Sequence, residues 1–328
     1  MRTIFFNNKP KIIATSTIAG PKECAGGLGK YIHTKLDDDM YGEKTFEKAE
    51  SRMLFTAIKN SMLRADKNET DIDAIISGDL LDQIISSTFS ARNFDTGYLG
   101  VYNACATFTE ALTLGATFID GKYLNNVVCA TSSHFSSAER QYRFPLELGC
   151  TRPPQSQWTV TGAGSCVLSL SGSGPSITCA TVGKVVDYGV TDANNMGAAM
   201  APCAAETLIT FFNDTKTNPD DYDLIVSGDL GTFGSRLLKD LVWEKGFDIE
   251  KQHVDCGELI YNISENEYQG GSGAGCSSVV FGSYLYEKLT KKKIKKIILM
   301  ATGALLSSLS SQQGESIPGI AHAVCIEA

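Results

Sequence analysis

Short apolar runs typical of buried strands alternate along this chain with longer segments of helical periodicity. Several runs are almost continuously apolar, as in Val127–Ala130 and Ile297–Ala301, which is the pattern of strands covered on both faces. The predicted strands are Lys11–Ile18, Ile72–Ser77, Tyr98–Asn103, Asn126–Thr131, Gly164–Ser169, Ser176–Val186, Leu224–Ser227, Leu259–Ile263, Ile294–Ala301 and Ile317–Ile326. The predicted helices are Thr45–Asp66, Cys105–Gly121, Gly197–Asn213, Ser235–Lys245 and Cys276–Lys288. This alternation predicts an α/β protein with parallel sheets.

Two stretches of the chain repeat one another. The segment Asp71–Leu80 closely matches Asp221–Leu230, and the spacing from Cys105 to Thr131 recurs between Cys276 and Thr302. A Ser- and Gly-rich break at 171–175 separates the two copies. We therefore predict two repeats, 1–172 carrying Cys105 and 173–328 carrying a Gly-rich loop. A pseudo-twofold arrangement would bring loops of both repeats together near Cys105, where a cleft could hold a ligand.

Composition narrows the possible classes of protein. The chain has 328 residues, 43% of them hydrophobic and 20% charged, which is typical of a globular protein with a sizeable core. Its net charge of -8 argues against non-specific nucleic-acid binding. The start of the chain, Met1–Gly20, has only a short apolar run that indicates a strand, so we expect no signal peptide. No apolar segment of membrane-spanning length occurs, so we expect no transmembrane segment.

The cysteines do not have the spacing of a metal site. Ten cysteines and four histidines are present, but no Cys-x-x-Cys motif occurs. We expect free thiols in a reducing compartment. The aspartates Asp79, Asp82 and Asp229 could hold calcium brought by a ligand, but they lack the dense acidic spacing of a resident calcium site, which favours capping of helices. The sequence therefore predicts neither a resident metal ion nor a cofactor.

Cys105 is the first candidate for chemistry. The pattern places it after a strand, at the first position of a predicted helix, with the small residues Ala104 and Ala106 beside it. The positive end of a helix dipole favours the thiolate, so this position predicts a lowered pKa for the Cys105 thiol. The alternative is an inert thiol packed under a loop, and the local sequence leaves both open.

The turn Asn103–Ala106, the duplicated strand–helix units and the Gly-rich loop resemble the thiolase and ketoacyl-synthase superfamily. More narrowly, the chain resembles the stage V sporulation protein AD family of spore-forming bacteria. The segments that carry this resemblance are Ala19–Glu23, Ser77–Leu81, Ala130–His134, Ala138–Pro145, Thr181–Lys184, Asp192–Pro202, Gly270–Gly273, Ala301–Ser307 and Ile317–His322. The resemblance implies a five-layer αβαβα fold.

The same resemblance implies a function without thiolase chemistry. Members of that family are understood to bind dipicolinic acid, pyridine-2,6-dicarboxylate. They serve the stage V sporulation A membrane proteins, which move dipicolinate, with calcium, into the spore and out at germination. The resemblance therefore implies a peripheral protein of the inner spore membrane. It also implies a homodimer, which we expect to pair through the predicted strand Asn126–Thr131. The basic run Lys291–Lys296 is either a solvated helix end or a contact with anionic lipid.

The residues that would activate Cys105 are missing from their expected loops. In ketoacyl synthases a His and an Asn, or two His, approach the cysteine from the second half. Here the first loop reads Gly228–Gly231 with Asp229 and no His, and the second, Gly270–Gly275, has no Asn. An aspartate beside the thiol would raise the thiol pKa. We therefore predict no catalytic residue, with Cys105 a vestigial nucleophile.

Two rival functions remain open. The first is an acyl-thioester condensing enzyme that uses Cys105 as nucleophile, with His134 or His322 in place of the missing base. The second is a structural subunit that docks to membrane channel proteins. Neither rival requires dipicolinate to bind.

A dicarboxylate site can be assembled from three features of the sequence. The helix start at Cys105 supplies N–H groups for an anion. The Gly-rich loop could expose further N–H groups, or it could be only a tight turn where the repeats pack. Arg140 and Arg143 share a predicted helix face near His134, and a planar guanidinium suits a carboxylate. The alternative for Arg140 is a surface ion pair with Glu147 or Asp187. The predicted ligand-binding residues are Cys105, His134, Arg140, Arg143, Asp229, Gly271, Ser272, Gly273 and His322.

Overall fold

The computed structural model describes residues 1–143, 146–262 and 268–328, where strands and helices alternate as the hydrophobic pattern predicts. The strands are β1 (Thr3–Phe5), β2 (Lys11–Ala19), β3 (Thr34–Lys35), β4 (Ala74–Gly78), β5 (Gly97–Gly100), β6 (Asn126–Ser133), β7 (Trp158–Thr159), β8 (Gly162–Ser169), β9 (Ser176–Thr181), β10 (Leu224–Ser227), β11 (His253–Asp255), β12 (Gly271–Ser272), β13 (Lys296–Ala304) and β14 (Gly319–Glu327). The helices are α1 (Pro21–Ala25), α2 (Phe46–Arg64), α3 (Ile85–Ala91), α4 (Thr107–Asp120), α5 (Phe135–Tyr142), α6 (Met196–Thr215), α7 (Gly231–Trp243), α8 (Cys256–Ile260), α9 (Ala274–Val280), α10 (Tyr286–Thr290) and α11 (Ser308–Gln312).

The strand order is the same in the two halves of the chain. In the first half the strands lie side by side as β5-β4-β6-β8-β2, and in the second half as β11-β10-β13-β14-β9. The two sets join between β2 and β9 at a single residue pair, Lys11 with Ser176. The halves thus carry one topology twice. The predicted division after residue 172 falls in the turn between β8 and β9 and stays a prediction.

Both faces of the sheets are covered by apolar side chains. In β6, Val127 and Cys129 face the space between the two halves, whereas Val128 and Ala130 join the cluster formed with α2. The same alternation holds in β13. Strands buried on both sides account for the nearly continuous apolar runs in the sequence, because inward and outward positions are both removed from water.

Three apolar clusters fill the spaces between five layers. Helices α2 and α3 cover the outer face of the first sheet, and α6 and α7 cover the outer face of the second. Helices α4 and α9 lie in the central layer, where the ring centroids of Phe108 and Phe281 are 5.8 Å apart. Burial of such side chains is the main term that holds the layers together. The five-layer αβαβα prediction is confirmed.

Several local predictions were wrong. The sheets are mixed, because β8 and β14 run back antiparallel beside β6 and β13. The helix expected from Cys105 begins at Thr107. The strand expected at Leu259–Ile263 is occupied up to Ile260 by α8, whose N-cap Asp255 accepts a hydrogen bond from the N–H of Glu258. Ile263 itself, like the end of the motif Ala138–Pro145, lies outside the described residues.

The strand expected to mediate dimer formation lies in the interior of its sheet. β6 is hydrogen-bonded to β4 on one side and to β8 on the other, so it has no free edge for a partner. The edge of the first sheet is β5, which carries the exposed side chain of Leu99. None of the helices in the described residues is both long enough and apolar enough to cross a bilayer.

Candidate functional site

A cavity lies where the two halves meet, and both halves supply its walls. Its empty volume is about 480 Å³, counted with the part that opens to solvent. Cys105 and Ser272 line it, as does Arg143 at the end of α5. Its apolar walls are Leu80, Ala104, Ala138, Met196, Met200, Ala304 and Leu306.

Cys105 enters this cavity from a strained turn between β5 and α4. Ala104 has a φ of 50°, in the left-handed region that residues with a Cβ seldom adopt. The turn places Cys105 between the end of β5 and the first residue of α4. Close packing from the other half also shapes it, because a Cβ on Gly303 would lie 2.3 Å from the carbonyl oxygen of Asn103.

Asp229 lies behind the cysteine and accepts hydrogen bonds from three residues in two segments of the second half. Its Oδ1 accepts from the Thr302 hydroxyl at 2.8 Å, and its Oδ2 accepts from the Gly273 N–H at 3.0 Å and the Ser272 hydroxyl at 3.1 Å. The Cys105 thiol lies beside this network, with its Sγ 3.9 Å from Ser272 Oγ. Its neighbours in the network are therefore a hydroxyl and a buried carboxylate that raises the thiol pKa.

The Cys105 thiol is held in its neutral form. Burial raises its pKa well above the ordinary value, and the negative charge of Asp229 raises the pKa further. The predicted lowering by the helix dipole was wrong, because desolvation and a like charge outweigh the dipole of a helix that starts two residues later. The opposing effect of an aspartate, expected from the loop sequence, is confirmed.

The two candidate histidines are bonded elsewhere. His134 caps α5, with Nδ1 accepting from the Ser136 N–H at 3.1 Å and Nε2 lying 2.8 Å from the carbonyl oxygen of Asp39. His322 Nδ1 accepts from the Gly183 N–H at 3.1 Å, and its Nε2 lies 3.1 Å from the Asn103 amide. Burial lowers the pKa of both rings, to about 4 for His322. Within the described residues neither ring lines the cavity or hydrogen-bonds Cys105.

Two arginines and one glutamate form a nearly enclosed ion cluster beside the cavity. Arg143 and Arg152 both pair with Glu139, the second at 2.9 Å, and the side-chain exposures are 6%, 12% and 1% in that order. Both guanidinium groups also donate to the carbonyl oxygen of Gln157. Among the described residues, two positive charges against one negative charge leave a surplus cation in this cluster. Arg143 and Glu139 themselves line the cavity.

Gln157 connects this cluster to the loops behind Cys105. Its side-chain amide donates to the carbonyl oxygens of Asp229 at 2.6 Å and Gly271 at 3.0 Å. A single residue thus fixes the arginines by its main chain and the second-half loops by its side chain. The short strand β7, which follows Gln157, pairs with β12 of the Gly-rich loop.

Arg140 points away from Arg143, so the predicted shared face does not form. It makes an ion pair with Glu47 on α2 and lies over the ring of Phe46, and its side chain is 44% exposed. The sequence suggested Glu147 or Asp187 as the partner of Arg140. It did not indicate Glu47, because α2 is remote from Arg140 in sequence. Arg140 does not line the cavity.

The Gly-rich loop serves packing and the Asp229 network. A Cβ on Gly273, whose φ is 109°, would lie 2.7 Å from Ser133 Oγ, and one on Gly271 would lie 2.8 Å from the Ile260 side chain. The N–H of Gly273 is already donated to Asp229. Among these residues only Ser272 lines the cavity. The tight-turn alternative therefore describes this loop.

Several residues of the cavity were missed by reasoning from the sequence. Glu139 and Tyr142 lie beside Arg143 on α5, and their spacing of one helical turn was the available signal. Met196 and Met200 have the same spacing on α6. An apolar residue type gives no sequence signal of a functional role. Only the fold could therefore assign these two methionines to a cavity wall rather than to the core.

The fold and this site together indicate the structural class of the protein. Among solved structures, 3-oxoacyl-[acyl-carrier-protein] synthase III from Aquifex aeolicus VF5 superposes with a TM-score of 0.59 at 15% identity, covering 97% of this chain and 100% of that one. Cerulenin-bound OleA from Xanthomonas campestris has a TM-score of 0.62 at 13% identity, covering 99% and 100%. The protein has the thiolase-like fold of these condensing enzymes.

Sequence comparison identifies the family within that class. The family model of Stage V sporulation protein AD (SpoVAD) matches residues 1–327. Stage V sporulation protein AD of Bacillus subtilis (strain 168) is 39% identical over 326 residues, covering 99% of this chain and 96% of that protein. The chain belongs to the stage V sporulation protein AD family and is therefore a sporulation protein.

The position of Asp229 beside Cys105 predicts that the Cys105 thiol is alkylated slowly. Replacement Asp229→Asn removes the negative charge, so the apparent pKa of Cys105 should fall by about one unit or more, with roughly tenfold faster alkylation at a given pH. Iodoacetamide labelling followed by peptide mass spectrometry across a pH series measures both quantities. The exposed Cys150 is the internal control and should react equally in both proteins. Equal reactivity of Cys105 in the two proteins would contradict the electrostatic account.

Proposed function

We propose that this protein binds dipicolinic acid in the Cys105 cavity and does not transform it chemically. In this role it is a component of the machinery that transports dipicolinate, with calcium, during sporulation and germination. Membership of the sporulation family supplies the biological setting. The observation that carries the proposal is the surplus positive charge of Arg143, Arg152 and Glu139 at the wall of the cavity.

A buried surplus charge favours an anionic ligand. An enclosed charge without a partner is costly, and a bound carboxylate would remove that cost. The Nη1 group of Arg143 is used by Glu139 and Gln157, whereas its Nη2 and Nε groups donate to no described residue. These two donors form the fork that recognises a carboxylate through both of its oxygens.

The walls of the cavity suit a flat ring. Leu80, Met196 and Met200 present apolar surface, and methionine side chains adapt to the shape of a ligand. At the polar end Tyr102 and Tyr142 place their hydroxyl oxygens 3.2 Å apart, and Tyr142 donates to the carbonyl oxygen of Leu80. We propose that one carboxylate meets Arg143 while the ring lies between the apolar walls.

Calorimetry with dipicolinate tests this proposal. The wild-type protein should give a saturable signal, and Arg143→Ala should weaken binding about tenfold or more because a charge-assisted fork is lost. Arg143→Lys keeps the charge without the fork and should lie between the two. Arg140→Ala is the matched control, since Arg140 pairs with Glu47 outside the cavity and should leave the affinity unchanged.

Two outcomes would reject the cavity as the dipicolinate site. One is the absence of any heat of binding to the wild-type protein. The other is equal weakening by Arg140→Ala and Arg143→Ala, which would point to general charge rather than to the cavity. Isophthalate, the same ring without its nitrogen, provides a ligand control for the recognition of the two carboxylates.

The rival function is condensation of acyl thioesters through Cys105. The fold neighbours that carry this suggestion are enzymes by name, but at 15% identity or less they bear on the fold alone. A thiol kept neutral by burial and by the charge of Asp229 disfavours nucleophilic attack. Incubation with acetyl-CoA should therefore leave the intact mass of the protein unchanged. An acyl group recovered on the Cys105 peptide would support the condensing enzyme instead.

We propose that calcium travels with the ligand and that the protein acts at the inner spore membrane. The described residues contain no group of three or more potential metal-binding side chains that could hold an ion. In this proposal the partners are the other stage V sporulation A membrane proteins. The exposed side chains of Lys292, Lys293 and Lys295 supply positive charge for a peripheral contact with anionic lipid.

We also propose a homodimer, with β5 in place of the strand first expected. β5 is the unpaired edge of the first sheet, and a free edge favours pairing with a second chain. Light scattering should give twice the chain mass of 35.3 kDa for the wild-type protein. The variant Leu99→Arg should be monomeric, while Leu63→Arg, at an exposed position at the end of α2, should stay dimeric. A monomeric wild-type protein would refute this proposal.

A further inference from the structure

A second concave surface lies between α2 and α3, on the outer side of the first sheet. We call it the α2–α3 groove, and its empty volume is about 940 Å³, counted with the part open to solvent. It shares no lining residue with the Cys105 cavity. The groove is lined by Glu43, Lys48, Ser51, Arg52, Phe55, Phe89, Arg92 and Asn93.

Two arginines of this groove lie over aromatic rings. The guanidinium of Arg92 is 4.4 Å from the ring centroid of Phe89, which lines the groove, and that of Arg52 is 4.5 Å from the ring centroid of Tyr41, which lies outside the lining residues. Nη1 of Arg52 already donates to the Tyr41 carbonyl oxygen at 2.7 Å, whereas the stacked side chain of Arg92 donates to no described residue and keeps its N–H edge for a carboxylate. Phe89 is 40% exposed, so apolar ring surface is offered beside the charge.

The charge of the groove is opposite to that of the whole chain. Three of its lining side chains, Lys48, Arg52 and Arg92, are cationic, against the single carboxylate of Glu43. Glu43 lies 3.5 Å from Arg52, whereas Lys48 and Arg92 form no ion pair with any described residue. The chain as a whole carries a net charge of -8. A local cationic site on an acidic protein favours an acidic partner through charge complementarity.

We propose that the α2–α3 groove docks an acidic segment of a partner protein. Carboxylates of the segment would meet the outer edges of Arg52 and Arg92, and an apolar side chain between them would contact Phe55 and Phe89. A peptide fits this shape better than a membrane does. The cations lie against ring walls inside a concave surface, where the flat plane of lipid headgroups has poor access.

Fluorescence anisotropy with the full chain tests the proposal. The probe is a fluorescein-labelled peptide of glutamates interrupted by leucines, and the same peptide with lysines in place of glutamates is the ligand control. The glutamate peptide should bind saturably and more weakly as salt rises. The double variant Lys48→Ala/Arg92→Ala should weaken its binding about tenfold or more, because two unpaired cations are lost.

Controls separate docking from general charge and from loss of fold. Arg236→Ala removes an exposed arginine on α7 and should leave peptide binding unchanged. Phe89→Ala keeps every charge and should weaken binding through lost apolar contact, and circular dichroism should show all variants folded. Sedimentation with phosphatidylglycerol vesicles distinguishes a lipid site. The proposal is overturned if the peptide does not bind or if its binding survives the double variant. It is also overturned if the double variant loses binding to the vesicles but keeps binding to the peptide.

Discussion

Asp229 is enclosed within the protein, and three hydrogen-bond donors of described residues converge on its carboxylate beside the Cys105 thiol. Thr302 comes from the end of β13, Ser272 and Gly273 come from the Gly-rich loop, and Cys105 comes from the other half of the molecule. A buried carboxylate needs these donors, because each unmet acceptor would carry a desolvation cost. The junction of the two halves is thus organised around one buried carboxylate, with the Cys105 thiol beside it.

The protein has a thiolase-like fold, but the surroundings of Cys105 disfavour the thiolate. The strained turn at Ala104 still delivers a cysteine to a cavity, which is what a nucleophile requires. An aspartate and a serine lie beside that cysteine, and burial together with the charge of Asp229 keeps the sulfur protonated. The positive charge that the cavity offers comes instead from Arg143 and Arg152, which Gln157 ties to the same loops. A site built in this way is suited to holding an anion in place.

Much of the architecture could be predicted because it follows from local hydrophobic periodicity. Strands buried on both faces, such as β6 and β13, must be apolar at consecutive positions, and the repeated spacing around Cys105 and Cys276 exposed the duplication. The absence of His and Asn from the two second-half loops was also visible in the sequence. Predictions that depended on the chemistry of one short loop therefore agreed with the structure, as with Asp229 beside the thiol.

The predictions that failed concern partners remote in sequence. Nothing local to Arg140 indicated that Glu47 on α2 would bind it, or that Arg143 would instead turn into the cavity. His134 resembled a ligand residue until the fold placed both ring nitrogens on backbone groups. The sequence by itself determined most of the elements, their repeated order and the absence of His and Asn from two loops, because these depend on residue types at fixed spacing. Only the tertiary structure decided which charges face the cavity, because that depends on which elements pack side by side.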